Sequence, residues 1–287
     1  HPVIEFGFWS QLTLYVAIDF LFYWFHRLGH RTNLFWAAHG LHHTGEEMNL
    51  AIALRTSITQ RLFSFLFYWP LLFLGFSPEM IYTATGIHLF LGYWHHTRLI
   101  NKLHPAFEYF FNSPSHHRVH HGINPKYIDK NYAEILIIWD RLFGTFEAEA
   151  EDPVYGSLSP PRTWNPIKLN LQHWNYMRRA IRATTSFKEK IMLPLMPPEW
   201  LPSTINPKFV QGNQKKHATA NDFEKFESPM KAEMKTYLIF QVITAFIFTM
   251  LAISPKSGMT GIEIVLVSLN LWLMAIHWSK IMESKKD

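Results

Sequence analysis

The sequence predicts an all-α fold, an integral-membrane helical bundle with a histidine-rich cap on its cytosolic side and a C-terminal transmembrane hairpin. Three features predict it. The chain contains five long apolar runs with almost no charge, a polar and proline-rich stretch between the third and fourth runs, and four histidine clusters near the first three runs. Runs of about 17 or more apolar residues are typical of membrane spans, and a buried helix of a soluble protein is the alternative.

The apolar runs follow one another in a simple order. The first covers residues 8–25, and the second and third cover residues 62–76 and 80–94 around a Ser77-Pro78 break. The fourth and fifth, residues 237–253 and 262–278, flank a short connection and predict a transmembrane hairpin. Tryptophan, tyrosine and phenylalanine gather at the ends of the runs, as expected for side chains at a membrane interface.

The basic residues predict the orientation of these spans. Lysine and arginine concentrate on the cytoplasmic side of membrane proteins. Here they follow the first span, precede the second and follow the last, at Arg27, Arg31, Arg55, Arg61, Lys280, Lys285 and Lys286. All histidine clusters then lie on the cytoplasmic face, of the endoplasmic reticulum in a eukaryote or the inner membrane in a bacterium. The net charge of +5 fits attraction to anionic lipids, and nucleic acid is not expected because the aromatic residues belong to the apolar runs.

The sequence divides into three parts. Residues 1–152 form a membrane-embedded core with the histidine clusters, residues 153–236 a proline-rich cytosolic cap and linker, and residues 237–287 the hairpin and a basic tail. One amphipathic helix is predicted within the cap, around residues 171–183. Because the chain begins His1-Pro2 and not with methionine, we expect it to be cut from something longer.

Ten of the seventeen histidines lie in the four clusters, and imidazole is a common ligand of transition metals. Residues four apart share one face of a helix, so each cluster forms a small chelating surface. Nine or ten imidazoles are too many for one ion, which predicts two metals. The chain has no cysteine, so the metals must be held by nitrogen and oxygen. The residue types do not distinguish iron from zinc, since imidazole suits both.

Two oxidisable metals beside lipid can bind oxygen and attack a C–H bond that acid–base groups cannot reach. The phrases His26-Arg-Leu-Gly-His30, His39-Gly-Leu-His42-His43 and Asn112-Ser-Pro-Ser-His-His-Arg-Val-His-His-Gly122 resemble the fatty acid hydroxylase superfamily, integral-membrane di-iron enzymes that include the sterol desaturases. The resemblance implies nine metal ligands and leaves His95 and His116 as their neighbours. The nine are His26, His30, His39, His42, His43, His96, His117, His120 and His121.

Longer phrases around residues 46–55, 129–133 and 138–147 resemble one branch of that superfamily, the alkylglycerol monooxygenases and their bacterial relatives. This resemblance implies oxygen-dependent hydroxylation of the carbon next to the ether oxygen of a membrane alkylglycerol lipid, with release of fatty aldehyde. It also implies two iron ions, and tetrahydrobiopterin as the reductant. The sequence departs from the branch pattern at Arg31, where the pattern has an acidic residue. This difference concerns which substrate the chain accepts and whether it uses a pterin.

Two alternatives stay open at the level of sequence. A sterol or fatty acid hydroxylase or desaturase would use the same metals with another electron donor. A histidine-rich metal transporter would place its ligands along a path at mid-membrane depth, whereas these clusters lie at span ends.

Five further residues could orient ligands or substrate. Asp19 precedes His26 by seven residues and could accept a hydrogen bond from a ligand imidazole, or have a structural partner instead. Glu46 and Asn49 follow the second cluster and could orient ligands, with helix capping as the alternative. Arg55 could meet a lipid headgroup or pair with Glu46. His95 is the less secure of two adjacent histidines, because neighbours on a helix point about 100° apart.

Overall fold

The computed structural model describes residues 4–213, 221–254 and 256–284. Within these ranges the regular secondary structure is helical, which confirms the predicted all-α class. The helices are α1 (Phe8–Arg31), α2 (Asn33–His39), α3 (Leu50–Ala53), α4 (Gln60–Phe73), α5 (Pro78–Tyr93), α6 (Pro105–Phe110), α7 (Pro114–His120), α8 (Ile138–Leu142), α9 (Pro166–Ala183), α10 (Phe187–Met192), α11 (Pro207–Asn213), α12 (Ala232–Ile253) and α13 (Gly261–Glu283). Short 3-10 turns occupy His42–Thr44 and Leu193–Leu195.

The chain forms two compact units. One comprises His1–Pro160 with Gln172–Glu224 and contains every predicted metal ligand, and the other comprises Pro161–Leu171 with Lys225–Asp287. The three-part functional division of the sequence stays a prediction, because compact packing does not test it.

A three-helix core lies at the centre of the first unit. Leu14 and Ile18 of α1 are fully buried against Leu71 of α4 and Ala84 of α5. The predicted break is present between α4 and α5, where the Ser77 side chain accepts a hydrogen bond from the Met80 N–H and Pro78 begins α5. This core fixes α1, and with it the histidines near the C-terminal end of that helix.

The helical lengths distinguish the five apolar runs. Among the described residues, α12 and α13 are long and apolar enough to cross a membrane. By contrast, α4 has 14 residues and α5 has 16, so at 1.5 Å per residue each is about 21–24 Å long. A bilayer core is about 30 Å thick. The lengths of α4 and α5 therefore match the predicted runs of 15 residues each, and both helices are shorter than the bilayer core is thick.

The cap helices pack on α2 through a separate core. Met177 and Ala180 of α9 are buried with Ala37 of α2 and Leu193. Asn33 reinforces this packing, because its side-chain N–H groups donate to three backbone carbonyls of the 193–197 segment. The amphipathic helix predicted around residues 171–183 is confirmed as the greater part of α9.

The second unit contains the predicted C-terminal hairpin. Thr260 and Glu263 form a reciprocal capping box that begins α13. At the other end of that helix, the Glu283 carboxylate accepts hydrogen bonds from the Thr163 hydroxyl and the Trp164 N–H.

Candidate metal centre

The nine predicted ligands come together as two buried groups. All nine side chains are buried, and within each group the ligating nitrogens lie within 4.8 Å of one another. The first group is His26, His30, His39, His43 and His120, and the second group is His42, His96, His117 and His121. The groups are adjacent, since the ring centroids of His43 and His121 are 4.5 Å apart. Their ligation of metal stays a prediction that this geometry supports.

Each H-x-x-H-H motif is divided between the two groups. In the first motif the i, i+4 pair His39 and His43 joins the first group, while His42 joins the second. In the other motif the i, i+4 pair His117 and His121 joins the second group, while His120 crosses to the first. Residues four apart share a helix face, so each motif contributes a pair to one group and a single imidazole to the other. The two motifs thus link both groups into one centre.

The donor geometry fits a bound metal ion. The Nε2 atom of His43 lies 3.1 Å from that of His30, 2.9 Å from that of His39 and 3.2 Å from that of His120. One ring nitrogen carries either one proton or one lone pair, so three such hydrogen bonds cannot form together. Two nitrogens bound to one metal at about 2.1 Å and at right angles are about 3 Å apart. Convergence on a metal therefore explains these distances.

Burial keeps these imidazoles neutral. Desolvation, with repulsion between neighbouring imidazoles, lowers the pKa of His43, His120 and His121 well below its ordinary value. Desolvation also lowers the pKa of His42 to about 4 and that of His96 to about 2. Each of these five imidazoles then has one ring nitrogen with a free lone pair at neutral pH, which is the form that binds metal.

A single short segment, residues 129–132, orients three ligands of the first group. The backbone carbonyl of Tyr132 lies 2.6 Å from His26 Nδ1, and that of Lys130 lies 2.9 Å from His120 Nδ1. An Nδ1–H that donates to a carbonyl leaves Nε2 free for a metal. The Asp129 carboxylate lies 3.4 Å from His30 Nδ1.

Asn131 holds this segment in place. It is fully buried, its side chain donates to the carbonyls of His116 and Glu147, and it accepts from the Glu147 N–H. Its φ of 54° and the φ of 60° at Asp129 are left-handed conformations, which asparagine and aspartate tolerate better than most residues. Residues 129–133 contribute to the resemblance described above, but the sequence alone does not predict a role for Asn131. The signal that could have found it is the Asp-x-Asn pattern, typical of left-handed turns.

The five additional site residues have different outcomes. Asp19 bonds to the loop before α8 and to His88, as it accepts from the backbone N–H groups of Ile135 and Leu136, the Trp139 Nε1–H and the His88 ring. These contacts favour the structural alternative, since none of them is with a predicted ligand. Asn49 is the N-cap of α3, as its side chain accepts from the Ala51 N–H, so helix capping accounts for it.

Arg55 braces the turn that carries His42. Its guanidinium donates to the Leu41 carbonyl and to the Thr44 hydroxyl, and its own carbonyl lies 3.3 Å from His42 Nδ1. Burial lowers the pKa of Arg55, and the nearby carboxylate of Glu46 opposes this shift. His95 is buried and belongs to neither group, with its ring centroid 5.9 Å from that of His117. The expectation that only one of His95 and His96 faces the centre agrees with this placement.

Arg31 lies beside the first group. Its guanidinium forms an ion pair with Asp129 and lies 3.4 Å from the Glu199 carboxylate. Since Asp129 also contacts His30, the basic residue at this position is linked to a predicted ligand through one carboxylate.

Two adjacent, buried groups of five and four imidazoles define a class of histidine-rich proteins whose side chains could hold metal ions. The fatty acid hydroxylase family model matches residues 11–145, a range that contains all nine histidines. This part of the chain is thus a fatty acid hydroxylase domain.

Within that family, the chain is similar to the alkylglycerol monooxygenases. It is 43% identical to the alkylglycerol monooxygenase of Xenopus tropicalis over 194 residues, which are 68% of this chain and 43% of the relative. It is 37% identical to that of Homo sapiens over 259 residues, 90% of this chain and 57% of the relative. The ornithine lipid hydroxylase OlsE of Rhizobium tropici is 31% identical over 132 residues, 46% of this chain and 40% of the relative. The chain thus spans about half the length of these relatives, and no solved structure is significantly similar to it.

Proposed function

We propose that this chain is an iron- and oxygen-dependent lipid monooxygenase that hydroxylates the ether-adjacent carbon of alkylglycerol lipids and releases fatty aldehyde. The observation that carries this proposal is the pair of adjacent, buried, all-histidine groups with five and four imidazoles. Similarity to several alkylglycerol monooxygenases supports the choice of reaction.

Iron is the proposed metal. Bound iron would supply the one-electron and oxygen chemistry that C–H hydroxylation needs, whereas zinc is redox-inactive and would explain only a structural site. The nine imidazoles would hold two ions. The first group would hold one ion with five imidazoles, and the second group would hold the other with four. Burial of all nine side chains excludes bulk water from the reaction.

Lipid access follows from the apolar surface of the first unit. On α4, the side chains of Leu62, Phe73 and Leu74 are 64–71% exposed, and Phe90 of α5 is 75% exposed. Exposed apolar areas of this size mark membrane or protein contacts. We therefore place this surface in the bilayer with the metal centre at its cytoplasmic face, and take a membrane lipid as the substrate.

Tetrahydrobiopterin is the proposed reductant, by analogy with the alkylglycerol monooxygenase branch. Arg31 differs from the acidic residue of the branch pattern, and here it already pairs with Asp129. The reductant is therefore tested directly in the assay below.

The test uses the full chain, purified in detergent and loaded with iron under anaerobic conditions. Oxygen, tetrahydrobiopterin and an alkylglycerol lipid are supplied, and fatty aldehyde is measured. We expect aldehyde that depends on both oxygen and the pterin. Aldehyde that depends on oxygen but forms equally with another reductant would retain the reaction and reject the pterin.

A second candidate is hydroxylation of another lipid without ether cleavage, which includes the sterol and fatty acid hydroxylases or desaturases. The observation that favours it is the 31% identity to an ornithine lipid hydroxylase over 132 residues. Two bound iron ions, no aldehyde and a hydroxylated product from another lipid would support this candidate. A metal transporter is disfavoured, since all nine imidazoles converge in one place and not along a path.

A further inference from the structure

A cavity of about 350 Å³ lies apart from the histidine groups, between α2, α9 and the 3-10 turn Leu193–Leu195. Its lining is mainly apolar and comes from Leu34, Trp174, Met177, Ile181 and Pro194, and Arg178 and Arg182 are the two charged residues at its edge. These two arginines are four residues apart and share one face of α9. Both are exposed, and neither forms an ion pair with a carboxylate among the described residues.

The helices around this cavity are strongly basic. Between Pro166 and Met192 the sequence has six lysines and arginines and one acidic residue, Glu189, so this segment alone has a net charge of +5. Glu189 is already engaged, as its carboxylate accepts hydrogen bonds from Ser203 and Thr204. The local field therefore favours an anion at the cavity.

An apolar row lies beside the basic cavity. Phe187, Ile191 and Leu195 follow one another at intervals of four residues along α10 and the turn after it, and they are 77%, 57% and 64% exposed. Exposed apolar side chains next to a basic face are typical of helices that lie in a membrane interface.

The cavity also lies close to the first turn of α4, where the apolar surface of that helix begins. The ring of Trp174, in the cavity wall, lies 6.2 Å from the ring of Phe63 in the first turn of α4. The ring centroid of Phe63 is in turn 5.2 Å from that of Phe35 on α2. If α4 dips into the bilayer, the cavity lies at its headgroup level.

We propose that this cavity binds the phosphate-containing headgroup of an anionic phospholipid, with Arg178 and Arg182 as its ligands and Phe187, Ile191 and Leu195 inserted at the acyl-chain boundary. This site would dock the cap on the membrane surface. The inference rests on the proposed membrane placement and is independent of the reaction catalysed.

The first test measures lipid retention by native mass spectrometry of the full, metal-loaded chain, with phosphatidylglycerol or phosphatidylcholine as the probe. Replacing Arg178 and Arg182 by glutamine should reduce retained phosphatidylglycerol by about fivefold for each arginine. Arg179→Gln is the matched control, since it removes the same charge from α9 at a position outside the cavity wall. Unchanged metal content shows that the variants are folded. Equal loss in Arg179→Gln, or equal retention of both lipids, would overturn the site.

The second test measures whether the apolar row lies in the membrane. The chain has no cysteine, so a single introduced cysteine is the only thiol that a nitroxide reagent can label. A nitroxide is attached to a single cysteine at Ile191, at Leu66 on α4, or at exposed Lys208 on α11, in nanodiscs that contain phosphatidylglycerol. We expect dissolved oxygen to relax the Ile191 and Leu66 labels more than a water-soluble nickel chelate does, and the reverse at Lys208. A lipid signal at Leu66 without one at Ile191 would reject this inference and retain the membrane placement. No lipid signal at either position would reject both.

Discussion

At the scale of single residues, His120 is the ligand whose position is hardest to explain without a metal. It leaves its own motif partners and joins the first group, where its Nε2 lies 3.2 Å from that of His43. His120→Ala should therefore lower the bound metal and abolish turnover together, because the first group loses one of five donors.

The measurement for His120→Ala is metal per chain by mass spectrometry, alongside aldehyde release. His104→Asn is the control, because it removes an exposed imidazole and keeps a side-chain oxygen to cap α6. Full metal content with normal turnover in His120→Ala would contradict the assignment of this histidine as a ligand.

Asp129 contacts both the predicted ligand His30 and the unusual Arg31. Carboxylates that hold a ligand histidine typically contribute 10- to 100-fold in metal affinity. Asp129→Asn should weaken metal binding by about that range, as measured by competition with a chelator. Arg31→Gln breaks the ion pair and leaves the His30 contact intact, so it should have a smaller effect. Equal effects would show that charge, and not the contact with His30, is what matters.

At the scale of elements, the 129–132 segment acts as a single platform for three imidazoles. Asn131 supports it with buried side-chain hydrogen bonds and a left-handed backbone. Asn131→Gly keeps the backbone conformation accessible and loses the side-chain bonds, whereas Asn131→Ala loses both. Each unpaired buried group costs about 1–3 kcal/mol. Both variants should thus have lower melting temperatures and lower metal content, and the alanine variant should be the more affected. A normal glycine variant would show that the side-chain bonds contribute nothing.

The end of α5 positions His96 through a close approach at Gly92. A methyl group at Gly92 would overlap the carboxylate of Glu134, which is buried against this helix. The backbone N–H of His95 donates to the Gly92 carbonyl in the turn that precedes His96. We therefore expect Gly92→Ala to disturb that turn and to reduce metal in the second group.

The matched test of this packing is a double variant. Burial raises the pKa of Glu134 to about 7, so this carboxyl is costly to keep ionised and its removal is tolerable. Glu134→Ala removes the overlap, and adding it to Gly92→Ala should restore metal content and melting temperature. No recovery in the double variant would mean that Gly92 serves the turn in a way unrelated to Glu134.

At the scale of the whole molecule, the sequence predicts the helical class, the helical runs and the set of clustered histidines. Charge-free apolar runs and H-x-x-H-H spacing are local patterns, and local patterns can be recognised from the sequence alone. The division of His39, His42 and His43 between two groups is different, because all three lie within about one turn and the approach of α7 decides which group each joins. The role of the Lys130 and Tyr132 carbonyls cannot be predicted from the sequence either. Every residue has a backbone oxygen, so no residue type marks the ones that accept a hydrogen bond from an imidazole.

The centre joins elements that are far apart in the chain, and this gives the last prediction. Residues of α1, α2, the 42–44 turn, the segment after α5, and α7 supply the nine imidazoles, so bound metal would stabilise the first unit by linking all of them. A ligand that binds only the folded state at 100 times its Kd stabilises that state by about 2.7 kcal/mol. Chelation should thus lower the melting temperature in detergent by several degrees, and anaerobic iron should restore it. The same treatment of His120→Ala should produce a smaller change, because its first group binds metal less tightly. A melting temperature that is insensitive to chelation, in a sample shown to have lost both ions, would mean that the nine histidines pack stably as an apolar core and that metal is not part of the fold.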